Sequence, residues 1–134
     1  MNLVPVSKEP TAVRVLYELL KERTPEQSIA HRKMPTFEEH QAFVRSSPYQ
    51  VWYLVQVDGQ YVGSVYLTKQ REIGIFIFRA HHGKGHAKRA IKAIRDRYGR
   101  VLANVNPLNS ASKALFEGLG GKLIQVTYEL AEPE

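Results

Sequence analysis

Residues 72–100 constrain this chain more than any other stretch: an almost wholly apolar segment, EIGIFIF, passes through the glycine-bearing loop RAHHGKG into HAKRAIKAIRDRYGR. A short apolar run bounded by turn residues reads as a buried strand. Beyond the loop, Ala87, Ala90, Ile91, Ile94 and Tyr98 recur at helical spacing with Lys88, Lys92 and Arg95 turned outward, so an amphipathic helix follows. A strand that turns through glycines directly into a helix aims unpaired backbone N–H groups at one point, with the positive end of the helix dipole behind them. Glycines let a ligand come close to that backbone, and the expected product is a nest for a phosphate.

The charge distribution agrees. The chain carries a formal net charge of +6, and residues 79–100 hold eight Lys or Arg against the single acid Asp96, so the basicity is local and the rest of the chain sums to −1. His81, His82 and His86 lie in the same stretch. An anionic ligand is therefore expected at this segment. The loop HHGKGHAKR lacks both the Walker pattern and the dinucleotide Gly-x-Gly-x-x-Gly pattern, which excludes those two phosphate-binding classes. There is no cysteine, which removes disulfides, a thiol nucleophile and thiolate metal sites. The histidines lack metal-ligand spacing, and no metal is expected.

The remaining elements alternate. LVPVS reads as a strand, and Ser7 as the cap of a helix with Pro10 in its first turn and Val13, Leu16, Tyr17 and Leu20 on one face. Residues 24–35, bounded by prolines, read as loop, and Thr36 with Glu39 forms a capping box that opens a helix to about Arg45. VWYLVQV, the turn Asp58-Gly59 and YVGSVYL predict a hairpin, with the strand at 72–78 following antiparallel and central. After the basic helix, VLANVN at 101–106 predicts a strand parallel to 72–78, reached by a helical crossover. Asn109 caps a last helix stopped by Gly120 and Gly121, and KLIQVTYEL at 122–130 predicts a final strand. The expected architecture is a single α/β (α+β) domain over 1–134, a mixed and mainly antiparallel sheet flanked by helices.

The loop HHGKGHA after EIGIFIF, followed by NVNPLNSASKALFEGLG, closely resembles the acetyl-CoA-binding core of the GNAT acetyltransferase family. That family's loop reads Arg/Gln-x-x-Gly-x-Gly/Ala, and those places fall on His82, Gly85 and Ala87; the element order also matches over essentially the full length. The resemblance implies acetyl-CoA as co-substrate. It assigns pyrophosphate contacts to the backbone of Gly83, Lys84, Gly85, His86 and Ala87 with Lys88 beside them, and pantetheine pairing to Ile75, Phe76 and Ile77. It gives a cofactor contact to Asn109, and Lys84, Lys88 or Arg89 could reach the ribose phosphate. His82 departs from the family's Arg or Gln, which a backbone contact would tolerate.

The implied reaction is direct attack of an amine on a thioester, which needs a base, an oxyanion donor and an acid for the leaving thiolate. In members resembling the ribosomal-protein N-terminal acetyltransferases, the base glutamate and acid tyrosine align with Asn104 and Phe116, neither of which can do that work. Glu72, at the start of the central strand, is the substitute base; its bland reading is a strand-end charge paired with Arg71. His31, in the acceptor-side loop, is a second candidate because it titrates near neutrality. Tyr128 on the last strand is the expected acid, with Tyr53 behind it. His40 reads as a helix-surface residue, and Trp52, Tyr61 and Tyr66 as strand packing.

The acceptor is expected to be a small-molecule amine, with an amino sugar suggested by a weak likeness around residues 24–44, or a peptide N-terminus. A non-catalytic acyl-CoA-binding module and, less readily, a basic nucleic-acid-binding domain stay open, although the basic segment lacks interleaved aromatics. No apolar run approaches membrane-spanning length and no leader pattern opens the chain, so a cytoplasmic protein, with a homodimer possible and no membrane partner, is expected.

Overall fold

The computed structural model describes residues 1–23 and 34–133. In chain order its elements are β1 (Asn2–Pro5), α1 (Ala12–Lys21), α2 (Phe37–Arg45), β2 (Val51–Val57), β3 (Gln60–Leu67), β4 (Glu72–Ile77), α3 (His86–Tyr98), β5 (Leu102–Ala103) and α4 (Ser110–Gly118), with single 3-10 turns at Val6–Lys8 and Arg79–His81. The strands form one sheet in the order β1-β2-β3-β4-β5, antiparallel throughout except for the parallel β4–β5 pair. This is the mixed, mainly antiparallel sheet flanked by helices that the sequence predicts.

Strand alternation divides the core between two faces. Val55 and Tyr53 of β2 join Val65, Leu67 and Ile73 beneath Ala90, Ile91 and Ile94 of α3. Leu54 turns the other way, against Leu16 and Leu19 of α1 and Val44 of α2. Full burial of such side chains contributes roughly 1.5–3 kcal/mol each. The β2–β3 hairpin turns through Asp58 and Gly59 with φ of 50° and 78°, the paired positive values of a type I′ turn that matches strand twist. Both bonds of the capping box are present at 3.1 Å, Glu39 N–H to Thr36 Oγ1 and Thr36 N–H to Glu39 Oε1.

Four local expectations are corrected. Helix α1 starts at Ala12 after Thr11, not at Ser7, because Glu9 Oε2 accepts from both the backbone N–H and the hydroxyl of Thr11 and closes a turn there. The strand predicted over 101–106 pairs only at Leu102 and Ala103, because β4 and β5 diverge. Strand β4 is not buried on both faces, since Ile75, Phe76 and Ile77 are half-buried walls of a cleft. Residues 122–130 form no strand and are exposed throughout; their alternating apolar side chains find no neighbouring edge within one copy of the chain.

Candidate active site

The divergence of β4 and β5 opens a cleft of about 1380 Å³. The two strands share only the Glu72↔Leu102 and Ile73↔Ala103 pairs, after which Gly74, Ile75, Phe76 and Ile77 face Asn104, Val105 and Asn106 across the gap. Hydrogen-bond directions in a strand alternate. Thr68 N–H donates to Glu72 O and Phe78 N–H to Val62 O, both at 2.8 Å, so the even-numbered residues of β4 turn their backbone toward β3. Ile75 therefore presents its N–H and C=O to the cleft side, where no strand stands opposite among the described residues. Ile77 does the same, and its carbonyl accepts from His82 Nε2 at 2.7 Å, which fixes a proton on that ring nitrogen.

The loop closes this end of the cleft. Gly83 and Gly85 adopt φ of 76° and 78°, left-handed values that side chains disfavour. Gly85 is the N-cap of α3 and supplies no side-chain acceptor, which leaves the first-turn N–H groups to a ligand. Arg89 braces the loop by donating to Lys84 O at 3.2 Å and to His86 Nδ1 at 2.6 Å. His86 is thus an acceptor at Nδ1, and burial, followed by the charges of Arg89, Lys84 and His81, holds its pKa below the ordinary value.

Of the predicted cofactor residues, Ile75, Phe76, Ile77, His82, Gly83, His86, Ala87 and Asn109 line the cleft. Lys84, Gly85 and Lys88 are exposed beside it. Asn109 also caps α4, its Oδ1 accepting from Ser112 N–H at 3.1 Å. Among the cations proposed for a ribose phosphate, Arg89 is committed to the loop, while the ammonium groups of Lys84 and Lys88 carry no bond to another described residue. Further along α3, Arg95 donates to Leu119 O at 3.3 Å and Arg97 lies over the Tyr98 ring at 5.5 Å, so the basic face is partly structural.

At the other end, where the strands part, Glu72 lines the cleft half-buried. Asn104 Nδ2 donates to Glu72 Oε2, so the residue at the family's base position contacts the substitute base itself. The bland alternative fails: Arg71 reaches instead to the carbonyls of Tyr98 and Arg100. Around Glu72 stand aromatic rings from three elements and a connecting loop. Tyr66 of β3 stacks on Tyr49 at 3.8 Å between centroids, Trp52 of β2 meets Tyr49 edge-on at 4.8 Å, and Phe43 of α2 adjoins both Tyr49 and Trp52. Tyr66 lies flat across β4 only because residue 74 is glycine: a Cβ there would sit 2.1 Å from its ring and 2.5 Å from its hydroxyl oxygen. His40 is buried rather than on a helix surface, and burial lowers its pKa. Its Nε2 and the Trp52 Nε1 are buried without a hydrogen-bond partner among the described residues, and both residues line the cleft.

Not every predicted residue converges. Tyr128 is 86% exposed on the C-terminal segment and does not line the cleft. Tyr53 is a core residue whose hydroxyl meets that of Tyr98 at 2.6 Å. His31 lies outside the described residues. Phe116 does line the cleft. Sequence reasoning missed the Glu72–Asn104 contact and the Tyr49, Trp52 and Tyr66 wall; the one local signal was Gly74, an unexplained glycine inside an apolar strand.

Among the described residues no cluster of His, Asp or Glu could hold a metal ion, and no helix is long and apolar enough to cross a membrane. Residues 3–122 match the model of a GNAT acetyltransferase domain. No curated protein matches the chain. Solved structures that share the fold include the following three. A domain from Methanocaldococcus jannaschii is 20% identical with a TM-score of 0.77, covering 96% of this chain and 92% of that one. The aminoglycoside 6'-N-acetyltransferase of Acinetobacter haemolyticus is 15% identical with a TM-score of 0.70, covering 100% and 99%. The protein yncA of Salmonella typhimurium, solved with its cofactor acetyl-CoA, is 16% identical with a TM-score of 0.65, covering 89% and 76%. The parted strands, the uncapped helix start and the two left-handed glycines suit the amides and phosphates of that co-substrate. A chain matched over most of its length by one family model belongs to the GNAT acetyltransferases, with acetyl-CoA as its co-substrate.

Proposed function

We propose that this protein transfers the acetyl group of acetyl-CoA to a primary amine of a small molecule or a peptide N-terminus by direct attack. Acetyl-CoA supplies the activated thioester; attack by the amine nitrogen forms the amide and releases the thiol. The observation that carries the reading is the carboxylate at the point where the strands part: Glu72, oriented by Asn104. Glu72 takes the amine's proton, directly or through one water. The N–H of Ile75, turned toward the gap, is the donor for the developing oxyanion. Tyr66, whose hydroxyl lies over Gly74 within the cleft, is the phenol available to return a proton to the leaving thiolate. Tyr128 has the same chemistry, but in a single copy it stands outside the cleft.

For the acceptor, the aromatic wall favours an amine that arrives as a cation, and His40 Nε2 and Trp52 Nε1, which have no partner among the described residues, favour one that also carries hydrogen-bonding groups. Both features support a polar small-molecule amine ahead of a peptide. A purely binding role would leave the Glu72–Asn104 pairing without purpose.

Calorimetric titration with acetyl-CoA and with its analogue lacking the ribose phosphate tests the cofactor half. Micromolar or tighter affinity is expected, weakened without that phosphate by the loss of Lys84 and Lys88 contacts. Thiol release with a panel of polar amines then tests turnover. Failure to bind either nucleotide overturns the site; binding without thiol release from any amine overturns the catalytic reading.

A further inference from the structure

Two buried nitrogens beside the aromatic wall narrow the acceptor further than polarity alone. His40 is 4% exposed, and neither its Nε2 nor the Trp52 Nε1 has a hydrogen-bond partner among the described residues, although both side chains line the cleft. A buried polar atom left unpaired costs stability, so two of them on one cavity mark a place built for something else to bind. The two side chains are neighbours. His40 and Phe43 lie one turn apart on α2, and the Phe43 ring meets Trp52 at 6.1 Å between centroids, so the face of α2 that carries His40 packs over the start of β2.

Their polarities are opposite and fixed. An indole nitrogen only donates. For His40, burial lowers the pKa and a hydrogen bond to the Val13 backbone offsets that in part, so the ring is neutral and gives its one proton to a carbonyl. Because Nε2 has no partner, that proton sits on Nδ1 and Nε2 is left as an acceptor. One uncharged donor and one uncharged acceptor therefore share this end of the cleft. A carboxylate or phosphate would satisfy Trp52 but meet the lone pair of Nε2. An ammonium group would satisfy Nε2 but meet the indole N–H. A hydroxyl accepts from one and donates to the other through a single oxygen.

Strand register sets how far this pair stands from the chemistry. Trp52 is opposite Tyr66 and Tyr66 is opposite Gly74, so one row crosses β2, β3 and β4. Two strand spacings put Trp52 roughly 10 Å from Gly74, which lies two residues beyond Glu72 on β4.

We propose that His40 and Trp52 determine acceptor specificity by holding a neutral hydroxyl of the acceptor, roughly 10 Å from the amine that Glu72 deprotonates. The inference rests on the acetyl transfer proposed above for the place of the amine, and adds the chemistry of the acceptor's far end. At about 1.2 Å per bond of an extended chain, the span is some seven or eight bonds. An acceptor of that length crosses the aromatic wall, whose rings suit an apolar spacer. The class is an amino alcohol of this reach, in preference to a polyamine or an amino acid.

Four amines of one length isolate the far end: ω-aminohexanol, whose nitrogen and oxygen are seven bonds apart, hexylamine, hexanediamine and ω-aminohexanoate. Aminopropanol serves as a hydroxyl too close to the amine. Thiol release from acetyl-CoA should be at least about 10-fold more efficient in kcat/KM with aminohexanol than with any other, because each of the others leaves a buried nitrogen unpaired or facing the wrong charge. Trp52→Phe keeps a ring and removes the donor; it should bring the ratio of aminohexanol to hexylamine close to one, and His40→Phe should do the same. Trp52 is the chain's one tryptophan, so its indole N–H gives a single NMR signal. In protein saturated with CoA, aminohexanol should move that signal downfield and hexylamine should not. Equal or better turnover of hexylamine or the diamine overturns the proposal. So does an indole signal that none of the amines moves, which would assign the pair to an internal water. A signal moved by aminohexanol alone, without thiol release from any amine, supports the subsite while overturning the catalytic reading, so the two fail separately. The indole measurement on the wild-type protein decides the matter even if His40→Phe does not fold.

Discussion

The two ends of the cleft are made of different material. The loop end is backbone: two glycines in left-handed conformation, the uncapped start of α3, and the N–H and C=O of Ile75, which β5 does not pair. The parting end is side chain: a carboxylate from β4, an amide from beyond β5, and rings from α2, β2, β3 and the loop before β2. On the proposed function the backbone end holds the one invariant co-substrate, acetyl-CoA, and does so with little dependence on which side chains surround it. Side chains that meet only in the folded state are where an acceptor can be selected. The division predicts that the two ends can be damaged separately.

The largest separation should come from Glu72→Gln. Glutamine keeps the shape and an oxygen that still accepts from Asn104, but it cannot take a proton. Turnover should fall by roughly 10²–10⁴, the usual worth of general base catalysis, while acetyl-CoA affinity measured by calorimetry stays within error. Equal loss of both would mean that Glu72 shapes the cofactor end and that the two ends are one unit. Unchanged turnover would remove it from the chemistry.

Gly85→Val should do the reverse. A β-branched residue at φ of 78° strains the loop, and its Cβ would approach Arg89 Nη1, 3.2 Å away, the group that braces Lys84 and His86. Backbone strain of about 1–3 kcal/mol is expected at such a position, most of it relieved by rearranging the nest. Acetyl-CoA affinity should drop by roughly 10–100-fold, with a thermal shift of only a few degrees because Gly85 is exposed and touches none of the buried core. Retained affinity would mean that the loop merely starts a helix.

The same division explains what could be read from the sequence. A nest is encoded locally: EIGIFIF, the two glycines and the basic helix follow one another within one stretch, and β4, α3, the hairpin and both Asn109 and Thr36 caps are legible for the same reason. The acceptor end depends on register. Tyr66 stands opposite Gly74 only because β3 and β4 pair with Leu67 against Ile73, and Asn104 reaches Glu72 only because β4 and β5 pair in parallel at two positions. No spacing along the chain announces either contact, so Glu72 could be named while Asn104 was set aside as a lost base. His40 failed differently: a histidine in a short charged helix looks solvated, yet α2 packs on α1 and turns that ring beside Tyr17 at 5.4 Å. Residues 122–130 read as a strand from their alternation but form none, because no sheet edge stands beside them among the described residues.

Gly74→Ala is the smallest and most discriminating change. One methyl would fall 2.1 Å from the Tyr66 ring, and aromatic carbons held by a stack on Tyr49 cannot yield that distance without swinging away from β4. Tyr66 would leave its place over the strand, carrying its hydroxyl with it and breaking a ring contact worth about 0.5–1.5 kcal/mol. Acceptor KM should rise, and turnover fall, by about 2–13-fold, the range that this energy converts to. Acetyl-CoA affinity should change less, because Ile75 and Ile77 direct their backbone to the opposite side from the β3 pairing. If the variant instead loses cofactor affinity while acceptor KM holds, Gly74 serves close approach of the pantetheine arm to β4. The boundary between the two ends would then move from Ile75 back to Gly74. Making Tyr66→Phe alone and on top of Gly74→Ala separates the hydroxyl from the ring: a fall in turnover from Tyr66→Phe alone that adds nothing to the Gly74→Ala loss assigns the proton to Tyr66, whereas additivity of the two losses would place the hydroxyl's effect outside the displaced contact.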